Sequence, residues 1–201
     1  MIKNVIFDIG NVLCNYAWAE MIADRTQDQA MADRVAAATV NHATWPEWDR
    51  GNKSYDELVD MLCNNDPEIG DVIRDVFRDI KDLLTPRDYA IPLVERLHGA
   101  GYNVLYLSNM SRPAVEQCLE AMRFIPYTDG GILSFREHYV KPEPEIYRLL
   151  QGRYHLIPEE CVFLDDSEKN IETAKNLGWH GIVFKDLAQA EAELKQLGVS
   201  Y

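Results

Sequence analysis

The chain has 201 residues, 33 of them acidic and 20 basic, which gives a formal net charge of −13. Such a balance opposes long-range attraction to nucleic acid or to an anionic membrane surface, and no cluster of Lys and Arg interrupts it. At 47% hydrophobic and 26% charged residues the composition is globular, and the length suits one domain with a substantial insertion or two small ones.

The N-terminal residues Met1–Asp8 lack the long apolar stretch and small-residue cleavage site of a signal peptide. No apolar run approaches the ~18 residues of a membrane span. Cys14, Cys63, Cys118 and Cys161 are far apart and form no C-x-x-C pair, so reduced thiols and a cytoplasmic location are expected.

Val5-Ile6-Phe7 is an apolar run ending at Asp8 and predicts a buried strand. Gly10 and Asn11 break it. From about 17 to 84 the spacing turns helical, with helices predicted over Met31–Val40, Tyr55–Cys63 and Ile69–Leu84 and no convincing strand. Ser54 with Glu57 three residues on is a capping-box pattern for the second of these. After Thr85-Pro86 strands and helices alternate. Tyr89–His98 is helical, Val104–Leu107 a strand, and Pro113–Met122 a helix with Pro near its start. Gly130–Ser134 is a short strand and Pro144–Gln151 a helix. Cys161–Leu164 is a strand, Ile171–Leu177 a helix closed by Gly178, Gly181–Phe184 a strand and Leu187–Leu197 the last helix.

This order predicts an α/β fold. A Rossmann-like, doubly wound, mostly parallel sheet forms the core, with a small helical cap inserted. The boundaries fall at 1–14 and 86–201 for the core and 15–85 for the cap. The cap holds 15 acidic and 7 basic residues, net −8, against −5 for the remainder, so its outer surface is expected to be solvated.

Ligands of open α/β sheets bind beyond the carboxyl ends of the strands. Asp8 follows the first strand, Ser108-Asn109 the second and Asp165-Asp166 the fourth, while Lys141-Pro142 precedes a helix. Each has a bland reading on its own: a lone Asp after a strand is usually a loop or capping residue, Ser-Asn an ordinary turn pair, and Asp-Asp before Ser a helix cap. Their joint occurrence at strand ends is far more specific. Three converging carboxylates need compensation, which Lys141 and a divalent cation supply. An all-oxygen donor set without a His/Cys cluster favours Mg²⁺ over zinc.

The segments Val5–Val12, Leu107-Ser108-Asn109, Val140-Lys141-Pro142 and Phe163-Leu164-Asp165-Asp166 resemble the four signature motifs of the haloacid dehalogenase-like hydrolase superfamily. The resemblance covers the whole chain. The segments Phe7–Val12 and Trp48–Ser54 are similar to those of its bacterial phosphatases acting on α-D-glucose 1-phosphate. It implies that Asp8 attacks phosphorus and forms an aspartyl-phosphate. It also implies that Ser108 and Asn109 hold the phosphoryl group, and that Lys141 neutralises the nucleophile and the phosphoryl oxygens. Mg²⁺ would be held by Asp8, Asp166 and the carbonyl of Gly10, with Asp165 acting through water or orienting Lys141. The implied substrate is a small phosphorylated metabolite, a sugar phosphate such as glucose 1-phosphate, and the implied assembly a monomer or weak homodimer.

One position departs from that pattern. Most phosphatases of the superfamily carry a second Asp two residues after the nucleophile, and here that position is Gly10. General acid–base help is worth roughly 10²- to 10⁴-fold in rate. Three readings follow: an ester with a good leaving group, a replacement acid with His42, Glu47 and Asp49 as candidates, or a weak catalyst that only binds phosphate. A metal-independent dehalogenase also lacks the second Asp, but leaves Asp165-Asp166 without purpose. In the cap, Trp45 and Trp48 offer faces for a sugar and Arg50 a cation for substrate. Cap packing and a surface ion pair are the plainer alternatives.

Overall fold

A computed structural model describes residues 1–201. Seven strands run in chain order: β1 (Asn4–Phe7), β2 (Cys14–Tyr16), β3 (Leu84–Pro86), β4 (Asn103–Ser108), β5 (Gly130–Leu133), β6 (Cys161–Asp165) and β7 (His180–Val183). Five of them form one parallel sheet in the order β5-β4-β1-β6-β7, with β1 at its centre. From β1 the chain leads to β4 on one side, and from β6 it leads to β7 on the other. The switch point therefore lies between β1 and β6, where a crevice opens at the carboxyl ends. This is the α/β, Rossmann-like core that the alternation of elements predicts.

The strands are apolar on both faces because both are covered. Val5 and Phe7 of β1 pack on one side with Leu93, Val94 and Leu97 of α6 (Ala90–Gly99) and with Ala190 and Leu194 of α11 (Leu187–Gln196). Ile6 points to the other side, with Ile146, Tyr147 and Leu150 of α9 (Pro144–Arg153) and Ile171 of α10 (Glu168–Asn176). Two shorter helices, α7 (Arg112–Gln117) and α8 (Ser134–Glu137), follow β4 and β5 at the carboxyl edge.

Between β2 and β3 lie α1 (Trp18–Arg25), α2 (Gln29–Ala38), α3 (Pro46–Arg50), α4 (Tyr55–Asn65) and α5 (Gly70–Val76). The capping box of α4 is formed: Glu57 N–H donates to Ser54 Oγ at 3.3 Å and Ser54 N–H to Glu57 Oε2 at 2.8 Å. Trp48 is fully buried among these helices, stacked on Trp45 with ring centroids 5.2 Å apart and flanked edge-on by Tyr55 and Phe77. None of the helices in the chain is long and apolar enough to cross a membrane.

The insertion differs from the sequence expectation in two respects. It is entered and left through an antiparallel ribbon in which β2 pairs with β3, Asn15 opposite Thr85. The expected boundaries at 14/15 and 85/86 fall inside this ribbon. Strands of three residues show no alternation for a periodicity reading to find. The helix expected over 69–84 stops at Val76. The reason is Arg25, whose guanidinium donates to Val76 O at 2.8 Å and Asp79 O at 2.6 Å, while Tyr55 Oη donates to Phe77 O at 2.6 Å. Carbonyls that a continuing helix needs are thereby taken by distant side chains. Likewise α7 ends at Gln117, whose Oε1 accepts from Ile80 N–H at 2.8 Å, and a 3₁₀ segment follows over Ala121–Tyr127.

Candidate active site

Asp8 leaves the end of the central strand with its N–H donated to Leu164 O at 2.8 Å, so it stands beside the end of β6. Its side chain is almost wholly buried. The Lys141 ammonium bridges two carboxylates, 2.8 Å from Asp8 Oδ1 and 2.5 Å from Asp165 Oδ2. Asp165 is fully enclosed and also accepts from Ser167 N–H at 2.8 Å and from Asn170 Nδ2 at 2.9 and 3.0 Å. With Lys141, these donors occupy both of its oxygens, and it holds the ammonium against Asp8. Burial alone would push the Lys141 pKa down, but Asp165 and Asp8 outweigh it and the net shift is upward, so the ammonium stays charged. Burial pushes the Asp8 carboxyl up to about 6, with Lys141 opposing and Asp165 adding.

Asp166 lies on the exposed side. Oxygens of Asp8, Asp165 and Asp166 all fall within 4.8 Å of one another. Asn11, held at φ 56, donates from Nδ2 to Asp166 Oδ2 at 2.8 Å and accepts from Tyr16 N–H at 3.3 Å. Three carboxylates against one lysine leave excess negative charge, and the donors are all oxygen. Both properties fit Mg²⁺.

Asn109 binds the Lys141 backbone from both sides: its Nδ2 donates to Lys141 O at 3.0 Å and its Oδ1 accepts from Lys141 N–H at 2.6 Å. The side chain that sequence reasoning assigned to phosphate thus fixes the lysine loop, while the residue still lines the cavity. Ser108 is buried at the end of β4, and its hydroxyl helps lower the pKa of Asp8.

Above Asp8 is a cavity of about 390 Å³. The core contributes Asp8, Gly10, Asn11, Asn109 and Asp166 to its wall; the insertion contributes Tyr16, Trp18, Trp45, Trp48 and Asp49. No Lys or Arg lines it. Burial, reinforced by Asp8 and opposed by Lys141, pushes the Asp49 carboxyl up to about 7.

Arg50 is not on this wall. Its guanidinium donates to Glu47 Oε1 at 3.0 Å, to His138 O at 3.0 Å and to both oxygens of Glu143 at 2.8 and 3.2 Å. It ties α3 to the core segment preceding α9, and the surface ion-pair alternative describes it better than substrate contact. The sequence reading missed Asn11, Tyr16, Asn170 and the wall position of Trp18. Asn11 left one signal, a polar residue able to take the left-handed conformation directly after Gly10.

A sequence model described as haloacid dehalogenase-like hydrolase matches residues 2–178. The chain belongs to that family. Among curated relatives, a sesquiterpene phosphatase of Aspergillus oryzae is 27% identical over 195 residues, covering 97% of this chain and 96% of its own. A D-ribitol-5-phosphate phosphatase of Bacteroides thetaiotaomicron is 28% identical over 202 residues, with 89% and 90% covered. Among solved structures, a family enzyme of B. thetaiotaomicron in complex with magnesium and inorganic phosphate superposes with a TM-score of 0.68. It is 22% identical and covers 92% of this chain and 95% of its own. In this hydrolase Asp8, Ser108-Asn109, Lys141 and Asp165-Asp166 meet at one edge of the sheet.

Proposed function

We infer that this hydrolase is a magnesium-dependent phosphatase of small phosphomonoesters, with Asp8 as nucleophile. The observation that carries the reading is the Lys141 bridge. An ammonium is clamped between Asp8 and Asp165 behind the cavity wall, which Asp8 and the Asp166 carboxylate line. Lys141 holds Asp8 in place and offsets its charge as an anionic phosphoryl group approaches. Asp8, Asp166 and the Gly10 carbonyl would hold Mg²⁺, whose charge supplies further stabilisation of the phosphoryl oxygens. Asp8 Oδ bonds to phosphorus as the ester oxygen leaves, and water then cleaves the aspartyl-phosphate. The phosphatases among the relatives and the magnesium–phosphate complex of the related enzyme support the same reading.

The substrate proposed is an ester whose phosphate is its single anionic group, a sugar phosphate or an ester of similar size. A cavity of about 390 Å³ admits a hexose phosphate, and the Trp18 and Trp45 rings offer flat apolar faces to a sugar. With no lysine or arginine on the wall, a second anionic group has no partner. Bisphosphates and phosphorylated acids are therefore disfavoured.

A panel of phosphorylated sugars, polyols and prenyl alcohols, assayed for phosphate release with Mg²⁺ and with EDTA, tests the reading. Mg²⁺-dependent release abolished by Asp8→Asn supports it. Retained phosphate-ester binding without turnover of any ester would sink it. Halide release unaffected by EDTA would make the protein a dehalogenase.

A further inference from the structure

We propose that Asp49, carried by the insertion, is the general acid and base of this active site, in place of the carboxylate that Gly10 lacks. The inference rests on the phosphatase reading above.

Of the three candidates in that segment, only Asp49 faces the site. His42 Nδ1 bonds to Thr44 Oγ1 at 3.0 Å, and Glu47 pairs with Arg50 at 3.0 Å and Lys53 at 3.9 Å; neither lines the cavity. Asp49 lines it together with Asp8 and Gly10. Its carboxylate accepts no hydrogen bond and joins no ion pair, although other acidic residues of the insertion are paired: Asp79 and Asp82 with Arg25, Asp66 with Arg34, Asp60 with Arg74. A half-buried carboxyl left free of partners is costly unless it is protonated or meets a ligand.

Its position is fixed from the core. Ser134 Oγ donates to Asp49 O at 2.6 Å, Arg50 grips Glu143 and His138 O, and His138 Nδ1 lies 3.0 Å from Arg50 O. Gly51, at φ 78, lies so close to the Phe135 backbone that a Cβ would stand 2.2 Å from Phe135 O. These ties fix residue 49 relative to the segment that also carries Lys141. Proton transfer needs that fixed geometry.

The charged and titratable groups facing Asp49 are Asp8, Lys141 and Tyr16. Burial, with Asp8 adding and Lys141 opposing, raises its carboxyl to about 7, so both protonation states are populated near neutrality. Tyr16 also reaches the wall, but burial and the Asp49 charge push its hydroxyl far above the ordinary range, so it does not exchange a proton.

The chemistry balances. In the first step Asp8 Oδ bonds to phosphorus, the P–O bond to the leaving group breaks, and the leaving oxygen takes the proton of Asp49. In the second, Asp49 carboxylate takes a proton from water, whose oxygen bonds to phosphorus. The P–O bond to Asp8 breaks and its electron pair returns to the carboxylate. Phosphate leaves and Asp49 is again protonated.

The test compares Asp49→Asn with the unmodified protein on p-nitrophenyl phosphate, a good leaving group, and on the best sugar or alkyl phosphate of the panel, a poor one. The expected loss in kcat on the poor leaving group is about 10²- to 10⁴-fold. With p-nitrophenyl phosphate a burst of one nitrophenolate per chain persists, and mass spectrometry finds the phosphate retained on Asp8. A Gly10→Asp change in the same variant is expected to restore turnover of the poor leaving group, because a Cβ there meets only Tyr16 Cβ at an ordinary 3.9 Å. Loss of the nitrophenolate burst along with turnover of the poor leaving group, or no loss on either ester, would overturn the proposal and leave the phosphatase reading intact. Absence of turnover by the unmodified protein on every ester would remove both.

Discussion

Arg50 and Glu143 form a two-pronged ion pair, 2.8 and 3.2 Å, that joins α3 of the insertion to the core segment just after Lys141. Both side chains are partly exposed, so the pair contributes at most ~1 kcal/mol to stability. Its effect on geometry is larger, because it holds the segment carrying Asp49. Arg50→Ala is expected to lower kcat by up to ~10²-fold with little change in unfolding free energy. Steady-state kinetics and urea denaturation on the same variant check this. A stability loss with unchanged kcat would contradict it.

Lys141 and Asp8 should respond differently to removal. Lys141→Ala leaves Asp8 and Asp165 buried without their counter-charge, which costs roughly 3–5 kcal/mol and abolishes turnover. Asp8→Asn also abolishes turnover but leaves the Lys141–Asp165 pair at 2.5 Å in place, so the protein stays close to its original stability. Denaturation curves of the two variants should differ by several-fold in the loss of stability.

Asn11 contributes through Asp166. Removing its 2.8 Å hydrogen bond in Asn11→Ala frees the carboxylate to turn away from Asp8. Partners of this kind typically change metal affinity by 10- to 100-fold. Titration calorimetry with Mg²⁺ and the Mg²⁺ dependence of phosphate release should both shift by about that factor. Full activity at unchanged Mg²⁺ concentration would exclude this role.

Stability should fall as pH rises. Asp8 and Asp49 have folded pKa values of about 6 and about 7, above the ordinary 3.8. The folded state therefore binds more protons than the unfolded one between about 4 and 7, and stability decreases through that window. Thermal unfolding of the metal-free protein should give a lower Tm at pH 8 than at pH 5. Asp49→Asn should reduce the difference, and saturating Mg²⁺ should raise the Tm at pH 8.

Much of the site was legible because apolar runs announce strands. Val5–Phe7, Val104–Leu107 and Cys161–Leu164 are too apolar to be anything but buried, and the polar residue after each must then stand at one edge of a parallel sheet. Chain order and alternation made that sheet doubly wound. Lys141 was found by motif and not by periodicity. Inside the insertion the reading was weaker. The end of α5 depends on Arg25 reaching Val76 and Asp79 from another helix, and β2 exists only because β3 returns beside it.

The sequence by itself determined which residues stand at the ends of the strands, since burial and local spacing dictate strands and a sheet aligns their ends. Tertiary structure alone decided how those groups divide the work. Asp165 is enclosed and turned toward Lys141, Asp166 is left facing outward, Asn109 is taken up by a backbone loop, and Arg50 is drawn to Glu143. It also decided that Asp49 shares a cavity wall with Asp8. That encounter depends on how α3 packs against the β5–α8 edge, a contact between segments far apart in the chain that no local pattern encodes.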